Sequence, residues 1–142
     1  ACLAQAVNII GPLLTTTDGM LKQTIYYAFQ EIARATRETT LEALVHSPTY
    51  AAGRHGEVPV LDVSASYDAN GITVTLVNRS LTEALQAQVP GYVATKATRI
   101  HNLDPKLENS WESPHRVLPF DATEEALVLP PLSITVVELV PA

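Results

Sequence analysis

Two runs of strict alternation flank a single tight turn. Leu61, Val63, Ala65 and Tyr67 alternate with Asp62, Ser64 and Ser66, and Ile72, Val74 and Leu76 continue after Asp68-Ala69-Asn70-Gly71. A period of two means a strand with one buried face, and an Asn-Gly pair supplies the φ > 0 residues that close hairpins. Once such a pair exists, its apolar face must be covered. The remaining segments offer more strands: Leu85, Ala87 and Val89 up to Pro90-Gly91, then Val93 to His101, Ala126 to Leu129, and Ser133 to Val140. Short strands at near-regular spacing, with turn signals between them, predict an antiparallel sandwich from Leu41 onward, with Leu61, Val63, Leu76, Val89, Leu129 and Val136 buried.

The first forty residues have a different texture. Ala1 to Ile10 is an apolar run expected to be a strand, and Gly11 to Gly19 is a loop. A helix is expected from about Met20 to Thr36, capped by Asp18. Ile25, Phe29, Ile32 and Ala33 recur on one face, and Arg34 and Arg37 lie near the helix end, where the dipole favours cations. One strand-loop-helix unit cannot close a core alone. It reads as the last unit of a larger βα array, most simply the eighth of a (β/α)8 barrel. An apolar start without an initiator Met or leader also reads as a piece of something longer.

Bulk composition narrows the function classes. The 142 residues carry 9 Lys plus Arg against 15 Asp plus Glu, a net charge of −6. The basic residues are scattered, which argues against a nucleic-acid partner. One cysteine, Cys2, leaves no internal disulfide. No stretch approaches the roughly 18–20 apolar residues of a membrane span.

The ordered motifs carry a resemblance. Ala1-Cys2-Leu3-Ala4-Gln5-x-Val7-Asn8-x-Ile10-x-Pro12 and Gln23-Thr24-Ile25-Tyr26-Tyr27-x-Phe29 resemble the end of the catalytic barrel of α-L-arabinofuranosidases of glycoside hydrolase family fifty-one. Ser47-Pro48-x-Tyr50, Val58-Pro59-x-Leu61-Asp62, Val77-Asn78-Arg79-x-Leu81 and Leu132-Ser133-x-x-Val136-x-x-Leu139 resemble that family's C-terminal sandwich. The resemblance implies a mainly β chain: the last strand and helix of a barrel over residues 1–40, then a jelly-roll-like antiparallel β-sandwich over 41–142. It implies retaining hydrolysis of terminal α-L-arabinofuranosyl groups of arabinan and arabinoxylan saccharides, without a cofactor. Two glutamates do this chemistry on earlier barrel strands, outside this chain, so no catalytic residue is assigned here and the chain alone is expected to be inactive. Gln5 matches the glutamine that hydrogen-bonds the arabinose ring. The expected partners are the remaining barrel, the arabinofuranosyl saccharide and further copies of the enzyme, in the cytoplasm. The family often has an aromatic at position 21 and a Trp at position 134, where this chain has Leu21 and Ile134.

Other readings of single residues compete. Gln5 and Asn8 also fit strand-end capping, and Asn8 is read as structural. Glu31, Glu38 and Glu42 fit a solvated helix side better than a glycosidase pair, which must face one sugar from two sides. His46, His55, His101 and His115 lack metal-ligand spacing. Ser47, Ser64 and Ser133 lack a nucleophile-elbow context. Trp111, with Tyr92 and His115, either forms a sugar-stacking platform or anchors the loop from Asn102 to Pro119 onto the sandwich, and anchoring is the expectation. Asn78-Arg79-Ser80 is a glycosylation sequon read as structural. The alternatives for the chain are a stand-alone carbohydrate-binding or interaction sandwich, and a related barrel-plus-sandwich glycosidase acting on xylosides or glucosides.

Overall fold

The computed structural model describes residues 4–142. In chain order its elements are β1 (Leu13–Thr15), β2 (Met20–Lys22), α1 (Thr24–Ala35), β3 (Thr39–Leu41), β4 (Thr49–Ala51), β5 (Glu57–Pro59), β6 (Leu61–Asp68), β7 (Gly71–Asn78), β8 (Leu85–Gln86), β9 (Tyr92–His101), β10 (Phe120–Asp121), β11 (Val128–Leu129) and β12 (Ser133–Pro141). The long alternating segments make one antiparallel six-stranded sheet in the order β10-β9-β12-β7-β6-β3. Three short pairs accompany it: β1 with β2, β4 with β5, and β8 with β11.

The β6–β7 hairpin forms as expected, but by different turn chemistry. Asp68 pairs with Gly71, so the loop is Ala69-Asn70, and Asn70 does not adopt positive φ. The Asp68 carboxylate accepts the Asn70 N–H at 2.8 Å, replacing the Asn-Gly mechanism with an Asx turn. Gly71 is needed for a second reason. Its φ is 132°, and a Cβ there would lie 2.9 Å from the Leu139 carbonyl oxygen on β12.

The sheet uses its two faces differently. Val74, Leu76, Ala97, Val137 and Leu139 point to one side, where Ala122, Ala126 and Leu129 cover them. Leu129 and Val137 are fully buried. Of the expected core residues, Leu76 and Leu129 are buried here. Leu61, Val63 and Val89 are only half-buried. They line a cavity of about 630 Å³ between the sheet and the segments Leu41–Pro48 and Leu85–Pro90. The strand expected over Leu85 to Val89 shrinks to Leu85–Gln86, so the second layer is thin there. Val136 is buried on the opposite face, because alternation along β12 turns it away from Val137.

Arg99 follows the same alternation and joins Ala97 on the inner side with only 3% exposure. Its Nε donates to the Thr135 hydroxyl at 2.9 Å, and Nη2 donates to the carbonyls of Glu125 and Val128 at 2.8 and 2.7 Å. The guanidinium thus ties the covering segment to the sheet. Burial pulls its pKa down from the ordinary value.

Helix α1 lies across the other face. Tyr27 packs with Ile100 and Val117, flanked by Tyr26, Ala28 and Leu107. The helix begins later than expected, because Met20–Lys22 pairs with Leu13–Thr15 instead of joining it. Asp18 therefore sits in a hairpin turn, closed by the Thr16 N–H on the Gly19 carbonyl at 2.9 Å, and Gln23 takes the N-cap position without a side-chain cap bond. Past the helix end, Arg37 reaches the sheet. Its backbone N–H donates to the Ser66 hydroxyl at 2.9 Å and its Nε to the Thr73 hydroxyl at 2.7 Å. Arg34 pairs with Glu31 at 3.7 Å on the helix surface.

Ile25 and Phe29 stand on the side of α1 away from Tyr27, 54% and 40% exposed. The helix is thus apolar on two sides, one of which the described residues leave open. A helix apolar all round is ordinarily buried all round.

Candidate functional site

The expected strand over Ala1 to Ile10 is not formed in its described part. Residues 1–3 lie outside the described residues, and residues 4–10 carry bends, a turn and one isolated parallel bridge, Val7 with Leu13. The physical reason is local. Asn8 and Ile9 both have positive φ, 60° and 53°, which folds the chain back on itself. The Asn8 N–H donates to the Leu13 carbonyl at 2.7 Å and the Leu13 N–H to the Ala6 carbonyl at 3.3 Å.

Asn8 has a structural role in this turn. Its Oδ1 accepts the Thr15 N–H at 2.7 Å and its Nδ2 donates to the Thr15 hydroxyl at 3.0 Å. Gly11 completes the fold-back. It is buried, and a Cβ there would lie 2.7 Å from both the Ala6 carbonyl carbon and the Val7 nitrogen, so only glycine lets the chain pass. Gln5 sits one residue before this crossing and is exposed.

Two amides hold the crossing to the rest of the molecule. The Gln23 backbone N–H donates to the Pro12 carbonyl at 2.9 Å, and its side-chain Nε2 donates to the Gly11 carbonyl at 2.6 Å. Asn109, in the loop after β9, is 6% exposed. Its Oδ1 accepts the Val117 N–H at 2.8 Å and its Nδ2 donates to the Val117 carbonyl at 3.0 Å, so the amide acts as a strand partner for that segment. Asn109 also reaches the start of the helix. Its backbone N–H donates to the Thr24 hydroxyl at 3.1 Å, and its Nδ2 lies 3.4 Å from the Lys22 carbonyl. Sequence reasoning passed over Gln23 as a motif letter and did not single out Asn109. An Asn in a polar loop carries no periodic signal.

The other singled-out residues do not converge. Trp111 is 44% exposed, and its ring lies against Gly19, where a Cβ would be 3.7 Å from Cζ3. Trp111 thus lies beside the β1–β2 hairpin, while Leu107 and Val117 of the same loop pack in the cluster around Ile100 of the sheet. Tyr92 begins the strand whose far end leads to that loop, so the two do not share a platform. Asn78 is 1% exposed, and its Nδ2 lies 2.9–3.0 Å from the carbonyls of Glu83, Leu129 and Pro130, which makes it a structural residue. Among the described residues no three His, Cys, Asp or Glu side chains come together as a metal site, and no helix is long and apolar enough to cross a membrane.

The described residues thus form an antiparallel β domain with one helix docked on the outer face of its sheet. The model for the α-L-arabinofuranosidase C-terminal domain matches residues 1–133, and the chain belongs to that family. The intracellular exo-α-(1→5)-L-arabinofuranosidase of Streptomyces lividans is 36% identical over 126 residues, 84% of this chain and 19% of that protein. The exo-α-(1→6)-L-arabinofuranosidase of Bifidobacterium longum is 33% identical over 98% of this chain and 30% of that protein. Among solved structures, a family 51 α-L-arabinofuranosidase from Bifidobacterium longum superposes with a TM-score of 0.84 at 28% identity, covering 98% of this chain and 29% of that one. The α-L-arabinofuranosidase of Thermotoga maritima, solved with arabinose, superposes at 0.75 with 25% identity over 98% of this chain and 33% of that one. The chain thus spans a fifth to a third of the length of these relatives.

Proposed function

We propose that the chain is the C-terminal part of a retaining glycoside hydrolase that releases terminal α-L-arabinofuranosyl groups from arabinan- and arabinoxylan-type saccharides. The family match across residues 1–133, which runs through both the helix and the sheet, carries this reading. Residues 1–40 are the last βα unit of the catalytic barrel, and residues 41–142 are the sandwich. The outer side of α1, with Ile25 and Phe29 exposed, is where the remaining barrel packs.

Retention requires a nucleophile and an acid/base carboxyl about 5–5.5 Å apart across one sugar. Three carboxylates of this chain pair with cations: Glu31 with Arg34, Asp68 with Arg37, and Glu138 with Lys96 and Arg37. On this proposal the glutamate pair stands on earlier barrel strands, outside this chain. Gln5 contributes binding, since an amide both donates to and accepts from ring hydroxyls. The intact enzyme works in the cytoplasm as a homo-oligomer and without a cofactor. The intracellular name of the Streptomyces lividans relative supports the location.

The intact enzyme should release arabinose from an aryl α-L-arabinofuranoside, and the first-formed sugar, followed by proton NMR, should keep the α configuration. A β product, or release only from xylosides or glucosides, would contradict the proposal.

A further inference from the structure

We propose that Asn109, a residue of the sandwich, is a positioning residue for the sugar site, acting on Gln5 through Gln23 and Gly11. The inference rests on the reading of Gln5 as an arabinose ligand.

The connection runs through polar contacts of 2.6–3.4 Å and one close backbone approach. Asn109 holds both sides of Gln23: its Nδ2 faces the Lys22 carbonyl at 3.4 Å and its backbone N–H meets the Thr24 hydroxyl at 3.1 Å. Gln23 then holds the crossing, through the Pro12 carbonyl at 2.9 Å and the Gly11 carbonyl at 2.6 Å. Gly11 lies flat on the Ala6–Val7 peptide, with no room for a side chain between them. Its N–H returns to the Asn8 carbonyl at 2.8 Å. Gln5 is the next residue along.

Within the described residues the crossing, rather than a strand ladder, ties residues 4–10 to the start of the helix, and barrel strands beside them in the intact enzyme would add to that hold. The amide of Gln5 is directional, and a hydrogen bond weakens steeply when its angle is lost. Asn109 is suited to the task because it is itself fixed. Both polar atoms of its amide are engaged by Val117, so a buried loop residue with little freedom sets the starting point. A loop of the sandwich thereby acts on binding in the barrel without touching the sugar.

The test is a mutant cycle in the intact enzyme on an aryl α-L-arabinofuranoside, using Asn109→Ala, Gln23→Met and Gln5→Ala singly and in pairs. Gln23→Met keeps the side-chain length, removes the donor to Gly11 and leaves Asn109 in place, so it carries the test if Asn109→Ala does not fold. Asn109→Ala and Gln23→Met should each lower kcat/KM by about three- to thirtyfold, and the loss should largely vanish in the Gln5→Ala background, because residues acting as a unit are non-additive. A loss that multiplies with that of Gln5→Ala would show a structural role only and overturn the inference. So would wild-type kinetics in both variants. Wild-type kinetics in a folded Gln5→Ala enzyme would instead remove Gln5 from the sugar site, and this inference with it.

Discussion

Arg37 and Asp68 join the end of helix α1 to the tip of the β6–β7 hairpin, with guanidinium Nη1 2.9 Å from carboxylate Oδ1. Both side chains are mostly covered, and the same carboxylate shapes the turn through the Asn70 N–H. One charged pair thus fixes the helix to the sheet and closes the hairpin.

The Asn70 N–H and the Arg37 guanidinium hold the Asp68 carboxyl below its ordinary value of 3.8. A folded-state pKa below the unfolded one gives stability that is present above the unfolded value and lost as pH falls through the folded value. The chain should therefore lose stability below about pH 4. Asp68→Asn should flatten part of that loss. Denaturant titrations of both proteins between pH 7 and pH 3 check this, and identical slopes would show that Asp68 contributes nothing.

Leu129 has no exposed surface and lies in the layer that covers the sheet. Leu129→Ala should cost about 2–5 kcal/mol, the transfer term plus the cavity left behind. Leu61→Ala, beside an existing cavity and half-buried, should cost less. Urea midpoints of the two variants give the comparison.

The two N–H groups of Asn78 Nδ2 are shared among three carbonyls, and Oδ1 accepts the Ser80 N–H at 3.0 Å. Asn78→Ala removes these bonds, at about 1–3 kcal/mol for a group left buried without a partner, while the Pro130 carbonyl keeps the Ser133 hydroxyl. The melting temperature should fall clearly, and an unchanged value would mean that the turn reorganises around the gap.

The open side of α1 should matter most when the chain stands alone. Phe29→Glu with Ile25→Lys should improve its solubility and reduce self-association, because contiguous apolar surface drives association. The same pair in the intact enzyme should impair folding, because the proposed function packs the barrel on that side. Sedimentation of the isolated chain and expression of the intact variant measure the two effects.

The sheet was legible where alternation was strong. Leu61–Asp68, Gly71–Asn78, Tyr92–His101 and Ser133–Pro141 all lie where the period of two puts them. The first forty residues were harder, because their geometry depends on contacts distant in sequence. Met20 to Lys22 has helical neighbours, yet pairing with Leu13–Thr15 turns it into a strand. The apolar run before Gly11 reads as a strand, yet positive φ at Asn8 and Ile9 folds it back. The candidate site was legible only as Gln5. Gln23 and Asn109 make side-chain hydrogen bonds to backbone carbonyls, and such bonds leave no pattern in a sequence.

The most direct test of the central claim compares the isolated chain with the intact enzyme on an aryl α-L-arabinofuranoside, at matched concentration and with both confirmed as folded. The intact enzyme should turn the substrate over, and residues 1–142 alone should not. Turnover by the purified chain, abolished by changing a glutamate within it, would place the chemistry here and contradict the account.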